Sequence, residues 1–209
     1  IAYGEGPMLG VKASEFYTFL IYVTPVGSYF KSGLKSLNTI VTDKYHRVAT
    51  KSIGFAKAVG NYAGTLLPYK EIVENGYDEI IFLNASNEDI IDEARSANIF
   101  VLIGNVLKTP VLQGSILPGI TRDSVIKVAS KIFNLDVREE DVSLDELMNA
   151  DEVFFTGTAA VIAPIGRIVY KNNENRFKIS FEDSMTRKIR ERLIDIQYEN
   201  IEDPFGWVI

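Results

Sequence analysis

The chain contains no cysteine, so it has neither disulfide staples nor thiolate chemistry. Its single histidine, His46, excludes multi-histidine metal sites, and no metal is expected. No apolar run is long enough to span a bilayer, and the opening residues lack the charged-then-apolar pattern of a secretory leader. The 22 basic residues are outnumbered by 28 acids, and the two signs are interspersed. A net charge of −6 in that pattern argues against nucleic acid or an anionic membrane as a partner. A cytoplasmic protein is the default that these absences leave. The sequence opens Ile1-Ala2-Tyr3 without a methionine, as a fragment of a longer chain would.

What is present is core-forming material. Over 209 residues, 46% are hydrophobic, enough for one large domain or one domain with a piece of another. Gly4, Gly6, Pro7 and Gly10 mark turns around short strands. Glu15 to Val26 (EFYTFLIYVTPV) predicts a largely buried strand, and Lys31-Ser32-Gly33-Leu34 a linker. Asn38 to Ala49 reads as another strand. Between Lys57 and Asn75, Leu66, Leu67, Tyr69, Ile72 and Val73 recur at helical spacing, a pattern that Pro68 should kink or split. Strand signals follow at 79–83, 90–91, 99–103 and 106–107, with short polar turns suited to hairpins. A helix is predicted over 121–133, capped by Thr121 or Asp123. Ser143-Leu144-Asp145-Glu146 is a capping box, and 151–155 and 161–170 read as strands. The stretch 181–198 predicts an amphipathic helix with Met185, Ile189, Leu193 and Ile196 on one face. The whole is a mixed α+β domain with a substantially antiparallel core.

Four stretches carry candidate chemistry. Lys57 stands among Ala56, Ala58 and Gly60, with room for a bulky group and no carboxylate at i+3 or i+4. Taken alone it is a solvated lysine; desolvated, it is a candidate Schiff-base amine. Leu117-Pro118-Gly119-Ile120-Thr121-Arg122 feeds a helix N-terminus, which is an ordinary junction or an anion site. Thr156-Gly157-Thr158-Ala159 is a hairpin turn, or a set of hydroxyl and N–H donors for phosphate or carboxylate oxygens. Glu93 is a surface acid near Arg95, or an inward carboxylate holding a cationic ring nitrogen. Tyr29 and Tyr62 are by default core aromatics with satisfied hydroxyls.

Together and in this order, the KAVGNY run at 57–62, Glu93 with Asn98-Ile99-Phe100, the LPGITR run at 117–122 and the TGTAA run at 156–160 resemble the signature of fold-type IV pyridoxal-phosphate enzymes. Within that class the chain is most similar to the branched-chain-amino-acid aminotransferases. The MLGV run at 8–11, the TPVGSYF turn at 24–30, DIQY at 195–198 and DPFGW at 203–207 point the same way. The resemblance implies a D-amino-acid-aminotransferase-like α+β fold, mainly its large domain, with a β-rich pseudo-barrel and surrounding helices. Residues 1–30 would be the end of a small N-terminal domain whose remainder lies upstream, 31–34 the linker, and 35–209 the large domain. Pyridoxal 5′-phosphate (PLP) is the implied cofactor. Lys57 would bind it covalently and move protons, Tyr62 would bond its phenolic oxygen, and Glu93 its ring nitrogen. The N–H groups of Ile120 and Thr121, with the Thr158 hydroxyl, would hold its phosphate. Thr158 and Ala159 would offer N–H donors to the substrate carboxylate, and Tyr29 would reach the substrate.

The implied reaction is ping-pong transfer of the amino group of leucine, isoleucine or valine to 2-oxoglutarate, in a homodimer or higher homo-oligomer. Alternatives with the same fold are a D-amino-acid aminotransferase and an aminodeoxychorismate lyase; outside catalysis, the alternative is a fragment serving as a binding or assembly module. The sequence departs from the family pattern at Val59, where glycine is common, and at Arg95, commonly a small residue. Ala160 and Ala163 stand where some members carry a Cys-x-x-Cys redox pair.

Overall fold

The computed structural model describes residues 1–7, 9–25, 35–178 and 180–208. The chain divides into two compact units, residues 1–31 and 32–209. In the first, β1 (Ala2–Glu5) pairs antiparallel with β2 (Phe16–Phe19), Ala2 opposite Phe19 and Glu5 opposite Phe16. The prediction of a largely buried strand from Glu15 to Val26 is corrected here. β2 is four residues long, and Phe16, Tyr17 and Phe19 are exposed. A two-stranded ribbon has no second layer to cover its faces.

The second unit is built on a nine-stranded mixed sheet flanked by helices. Its strands are β3 (Leu37–Thr42), β4 (Glu79–Asn84), β5 (Asn87–Ala94), β6 (Asn98–Ile103), β7 (Val106–Thr109), β8 (Asp136–Glu139), β9 (Glu152–Gly157), β10 (Val161–Tyr170) and β11 (Asn173–Arg176). They lie in the order β5-β4-β3-β10-β9-β6-β7-β8, with β11 also on β10. Antiparallel pairs predominate, and the expected hairpins β4–β5 and β6–β7 are present; β3 is parallel to both β4 and β10, and β7 to β8.

This order forces the sheet to curl. β5 and β6 are five strand positions apart, about 24 Å in a flat sheet. They are joined only by Arg95–Ala97, and the four steps from Ala94 to Asn98 reach about 14 Å at most. The sheet therefore bends back into a half-barrel, as the fold-type IV architecture requires. β10 is the pivot: its first half pairs with β9, its second half with β3 and β11, and a register shift at Gly166 falls within the β3 pairing.

The helices are α1 (Val59–Ala63), α2 (Leu66–Glu74), α3 (Ile120–Lys131), α4 (Leu144–Met148) and α5 (Met185–Gln197). The helical pattern after Lys57 is divided at Gly64–Thr65; Pro68 falls in the first turn of α2, where a missing N–H costs nothing. The capping box forms as read, Ser143 Oγ accepting from Glu146 N and Glu146 Oε2 from Ser143 N. Neither Thr121 nor Asp123 caps α3; its N-cap is Gly119, without a side-chain cap. The apolar face of α5 reads correctly: Ile189, Leu193 and Ile196 enter a core with Val125, Val128 and Ala129 of α3. In the same core Phe100 and Phe154, opposite one another on β6 and β9, stack with centroids 5.1 Å apart.

Candidate active site

The segment that carries Lys57 is held in place by its own polar residues. Asn61, buried on α1, donates from Nδ2 to the carbonyls of Ile53 and Ala56, both at 2.9 Å. Phe55 N donates to Gly114 O at 3.0 Å, seating this segment on the loop that leads to α3. Gly54 makes the seat possible, since a Cβ there would lie 2.2 Å from Ser115 O. Lys57 itself is exposed, its small neighbours leaving it uncovered. Its Nζ donates to Tyr62 Oη, on α1, at 3.3 Å.

Glu93 is inward-facing, at the end of β5 and 3% exposed. Arg95, two residues on, is not its partner but pairs with Glu79 and lies over the Tyr69 ring. The cation that faces Glu93 is Arg47, which sequence reasoning missed. Arg47 Nη2 lies 2.6 Å from Glu93 Oε1 in the most buried ion pair among the described residues. The same nitrogen donates to Ser115 O and reaches Gly54 O at 3.4 Å. Oε1 also accepts from Leu117 N at 3.1 Å, and Oε2 accepts from Asn98 Nδ2 at 2.9 Å. A carboxylate offers about two acceptor positions per oxygen. The Arg47 ion pair and the Leu117 N–H bond both lie on Oε1, while Oε2, which accepts only from Asn98 among the described residues, keeps room for a further donor.

Burial drives the Glu93 pKa up to about 7, against the downward pull of Arg47, Leu117 N–H and, more weakly, Lys57; neighbouring Asp92 adds to the rise. Asp92 is also raised by burial, offset by its bonds from Asn84 Nδ2 at 2.9 Å and Ser115 Oγ at 3.2 Å. The charge of Arg47 also acts on Asp92, more weakly than these two bonds.

Asn98 links Glu93 to α3. Its Nδ2 also donates to Leu117 O at 2.8 Å, two residues before the Gly119 cap. The first intrahelical donor of α3 is Asp123 N, bonded to Gly119 O, so the N–H groups of Ile120 and Thr121 have no acceptor in the helix. They form a donor pair with the positive end of a twelve-residue helix behind it. Thr156, opposite Asn98 across β6–β9, has a buried Oγ1 with no hydrogen-bond partner among the described residues. Two residues on, Thr158 and Ala159 are exposed in the turn between β9 and β10. That turn ends at Val161 with φ 59°, a left-handed backbone unusual for a β-branched residue and of the kind that accumulates at functional sites. Tyr29 lies outside the described residues. Among the described residues no three His, Cys, Asp or Glu side chains are grouped to hold a metal ion. None of their helices is long and apolar enough to cross a membrane.

The chain has known relatives. The branched-chain-amino-acid aminotransferase 2 of Arabidopsis thaliana (chloroplastic) is 41% identical over 205 residues, covering 98% of this chain and 52% of its own length. The branched-chain-amino-acid transaminase 1 of Bacillus subtilis is 39% identical, over 97% of this chain and 59% of its own. The chain thus spans about half the length of the relatives it matches. Among solved structures, the branched-chain aminotransferase of Thermoproteus uzoniensis with norvaline superposes with a TM-score of 0.74 at 34% identity, over 89% of this chain and 59% of that one. The PLP form of the Thermobaculum terrenum branched-chain amino acid aminotransferase gives 0.72 at 30%, over 81% and 53%. The family model for amino-transferase class IV matches residues 3–168, most of the sequence, and the chain belongs to that family.

Proposed function

We propose that this chain carries the PLP site of an enzyme that transfers amino groups between branched-chain L-amino acids and 2-oxoglutarate. The observation that carries the reading is the surroundings of Glu93: two N–H donors and the Arg47 ion pair hold the buried carboxylate, and Oε2, with Asn98 as its one donor among the described residues, keeps an acceptor position open. A protonated pyridine nitrogen is a single donor with a positive charge, which fits that position. Such a cation also opposes the burial that holds the Glu93 pKa near 7. The free N–H pair of Ile120 and Thr121 suits a phosphate, and the Lys57–Tyr62 pair supplies an amine beside a phenol. The residues fit the cofactor.

When bound, PLP supplies the electron sink that makes the substrate Cα–H acidic. In this reading Lys57 Nζ would hold the cofactor and, once released, serve as the general base and then the general acid of the 1,3-proton shift that carries the proton away from the substrate Cα. Tyr62 Oη orients the cofactor by a bond to its phenolic oxygen. Glu93 Oε2 keeps the ring nitrogen protonated. Ile120 N, Thr121 N and Thr158 Oγ1 bind the phosphate, while the N–H groups of Thr158 and Ala159 receive the substrate carboxylate. Tyr29, outside the described residues, would reach the substrate. The reading also takes residues 1–30 as the end of a small domain, 31–34 as linker and 35–209 as the cofactor domain. It carries a homodimeric assembly and a cytoplasmic location, which light scattering and fractionation would check.

The test is borohydride reduction of the PLP-loaded protein followed by peptide mass spectrometry, with turnover on a panel of L- and D-amino acids. Pyridoxyl label on Lys57 and turnover of leucine, isoleucine and valine are expected. Label on Lys51 or Lys70 instead, or turnover confined to D-amino acids, overturns the assignment.

A further inference from the structure

We propose that Arg47 is a positioning residue for this reaction, its buried guanidinium fixing Glu93 and fastening to it the two segments that lead to Lys57 and to α3. The inference rests on the reading of Glu93 as the partner of the ring nitrogen. It comes from one side chain contacting three stretches far apart in sequence: Gly54, Glu93 and Ser115. Gly54 lies three residues before Lys57, and Ser115 five residues before Ile120. A charge buried this deeply is tolerated only when paired, and here both members of the pair are buried.

The guanidinium does two separable things. By holding Oε1 together with Leu117 N, it leaves the open acceptor position on Oε2 and prevents the carboxylate from turning. By its charge it favours the ionised form of Glu93, which burial opposes. A protonated Glu93 would present an O–H where a protonated ring nitrogen requires an acceptor. The charged groups acting on Glu93 are few. Asp92 beside it on β5 pushes its pKa up, while Arg47 and, more weakly, Lys57 push it down. His46, next to Arg47 in sequence, is directed elsewhere, to Leu83 O and Glu88. Arg47 is thus the main cation acting on Glu93.

The experiment compares Arg47→Met, Arg47→Lys, Glu93→Gln and the Arg47→Met/Glu93→Gln double variant in the intact protein. PLP dissociation constants, kcat against pH, and apoprotein unfolding against pH are measured for each. Arg47→Met is expected to weaken PLP binding roughly ten- to a hundred-fold, the range known for outer hydrogen-bond partners at metal sites. It should also move the acidic limb of the kcat profile upward by about one pH unit or more. Arg47→Lys should restore the limb toward wild type, because the charge returns, yet keep a lowered kcat, because lysine lacks the planar fork. In kcat, the readout that passes through Glu93, the double variant should lose no more than Glu93→Gln alone.

Losses in kcat that multiply in the double variant would make Arg47 act independently of Glu93 and overturn the proposal. So would PLP affinity and pH limb within about twofold of wild type in Arg47→Met. If Arg47→Met does not fold, Arg47→Lys decides: an unchanged kcat overturns the proposal, and a lowered kcat with a wild-type limb supports it. The apoprotein measurement separates this inference from the reading beneath it. Without PLP, Arg47→Met should extend the loss of stability to higher pH, and Glu93→Gln should abolish it. A wild type that takes no PLP at Lys57 would refute the functional reading, whatever the apoprotein shows.

Discussion

Gly119 and Asn98 approach so closely that a Cβ on Gly119 would lie 2.2 Å from Asn98 Oδ1. The Gly119 backbone, at φ −69°, is open to any residue, so space alone demands glycine here. The amide it faces cannot step aside freely, because Asn98 Nδ2 is bonded to both Glu93 Oε2 and Leu117 O. Gly119→Ala should break one or both bonds and strip a donor from a buried carboxylate. The expected loss is about 1–3 kcal/mol in urea unfolding, with weaker PLP binding by fluorescence titration. Unchanged values in both assays would mean that Asn98 turns away at no cost.

Glu93→Gln preserves shape and removes charge. In the PLP-loaded protein it should leave Ile120, Thr121 and Thr158 on the phosphate and so retain the cofactor. The kcat should fall by about a hundredfold, near 3 kcal/mol of barrier. In the apoprotein, Glu93 has a folded pKa near 7, above its ordinary value of 4.5. The folded state then binds more protons than the unfolded state between those two values, so stability falls as pH rises through that window. Above pH 7 the loss levels off, at roughly 3 kcal/mol for a shift of this size. Thermal unfolding across pH 4–8 should show this slope in wild type and a flatter one in Glu93→Gln. Equal slopes in the two proteins would mean that other groups set the pH dependence.

The sequence was most readable where structure is local. The capping box at Ser143–Glu146 and the apolar face of α5 depend on residues three or four apart, and both were found. The hairpins β4–β5 and β6–β7 were likewise announced by short polar turns between apolar runs. Short β8 and β11 escaped because Asp136–Glu139 and Asn173–Arg176 are polar, and their pairing partners supply the strand character. The motif residues Lys57, Glu93 and Thr158 were legible through family resemblance rather than through pattern. Arg47 was not, since its partners are 46 and 68 residues away. Its only local signal was an arginine ten residues ahead of Lys57, in a stretch read as strand through Ala49. The exposed face of β2 was misjudged for the opposite reason: EFYTFLIYV is apolar enough to be buried, and within its own unit it is not.

Glu152 offers a test of the scaffold apart from the chemistry. It is 7% exposed at the start of β9, and its carboxylate receives every donor that the first two residues of α5 present. Oε1 accepts from Met185 N at 2.8 Å; Oε2 accepts from Thr186 N at 2.8 Å and Thr186 Oγ1 at 2.6 Å. Ser184 Oγ takes the next donor, Arg187 N, at 3.0 Å. The N-terminus of α5 is thus closed by one buried anion and one hydroxyl, and the anion lies at the positive end of the helix. What it anchors is the apolar face of α5, through Ile189, Leu193 and Ile196, on the core that includes Phe100 and Phe154. Glu152→Ala would leave three donors unpaired and should cost about 2–4 kcal/mol in urea unfolding. Glu152→Gln should recover only part of this, since its NH₂ group must face donors on one side. Ser184→Ala frees a single N–H and should cost about 1 kcal/mol. Because Glu152 touches none of the residues assigned to PLP, the folded fraction of each variant should bind the cofactor with wild-type affinity. A loss below about 0.5 kcal/mol in Glu152→Ala, the scatter of ordinary surface substitutions, would show that water replaces the carboxylate at no cost.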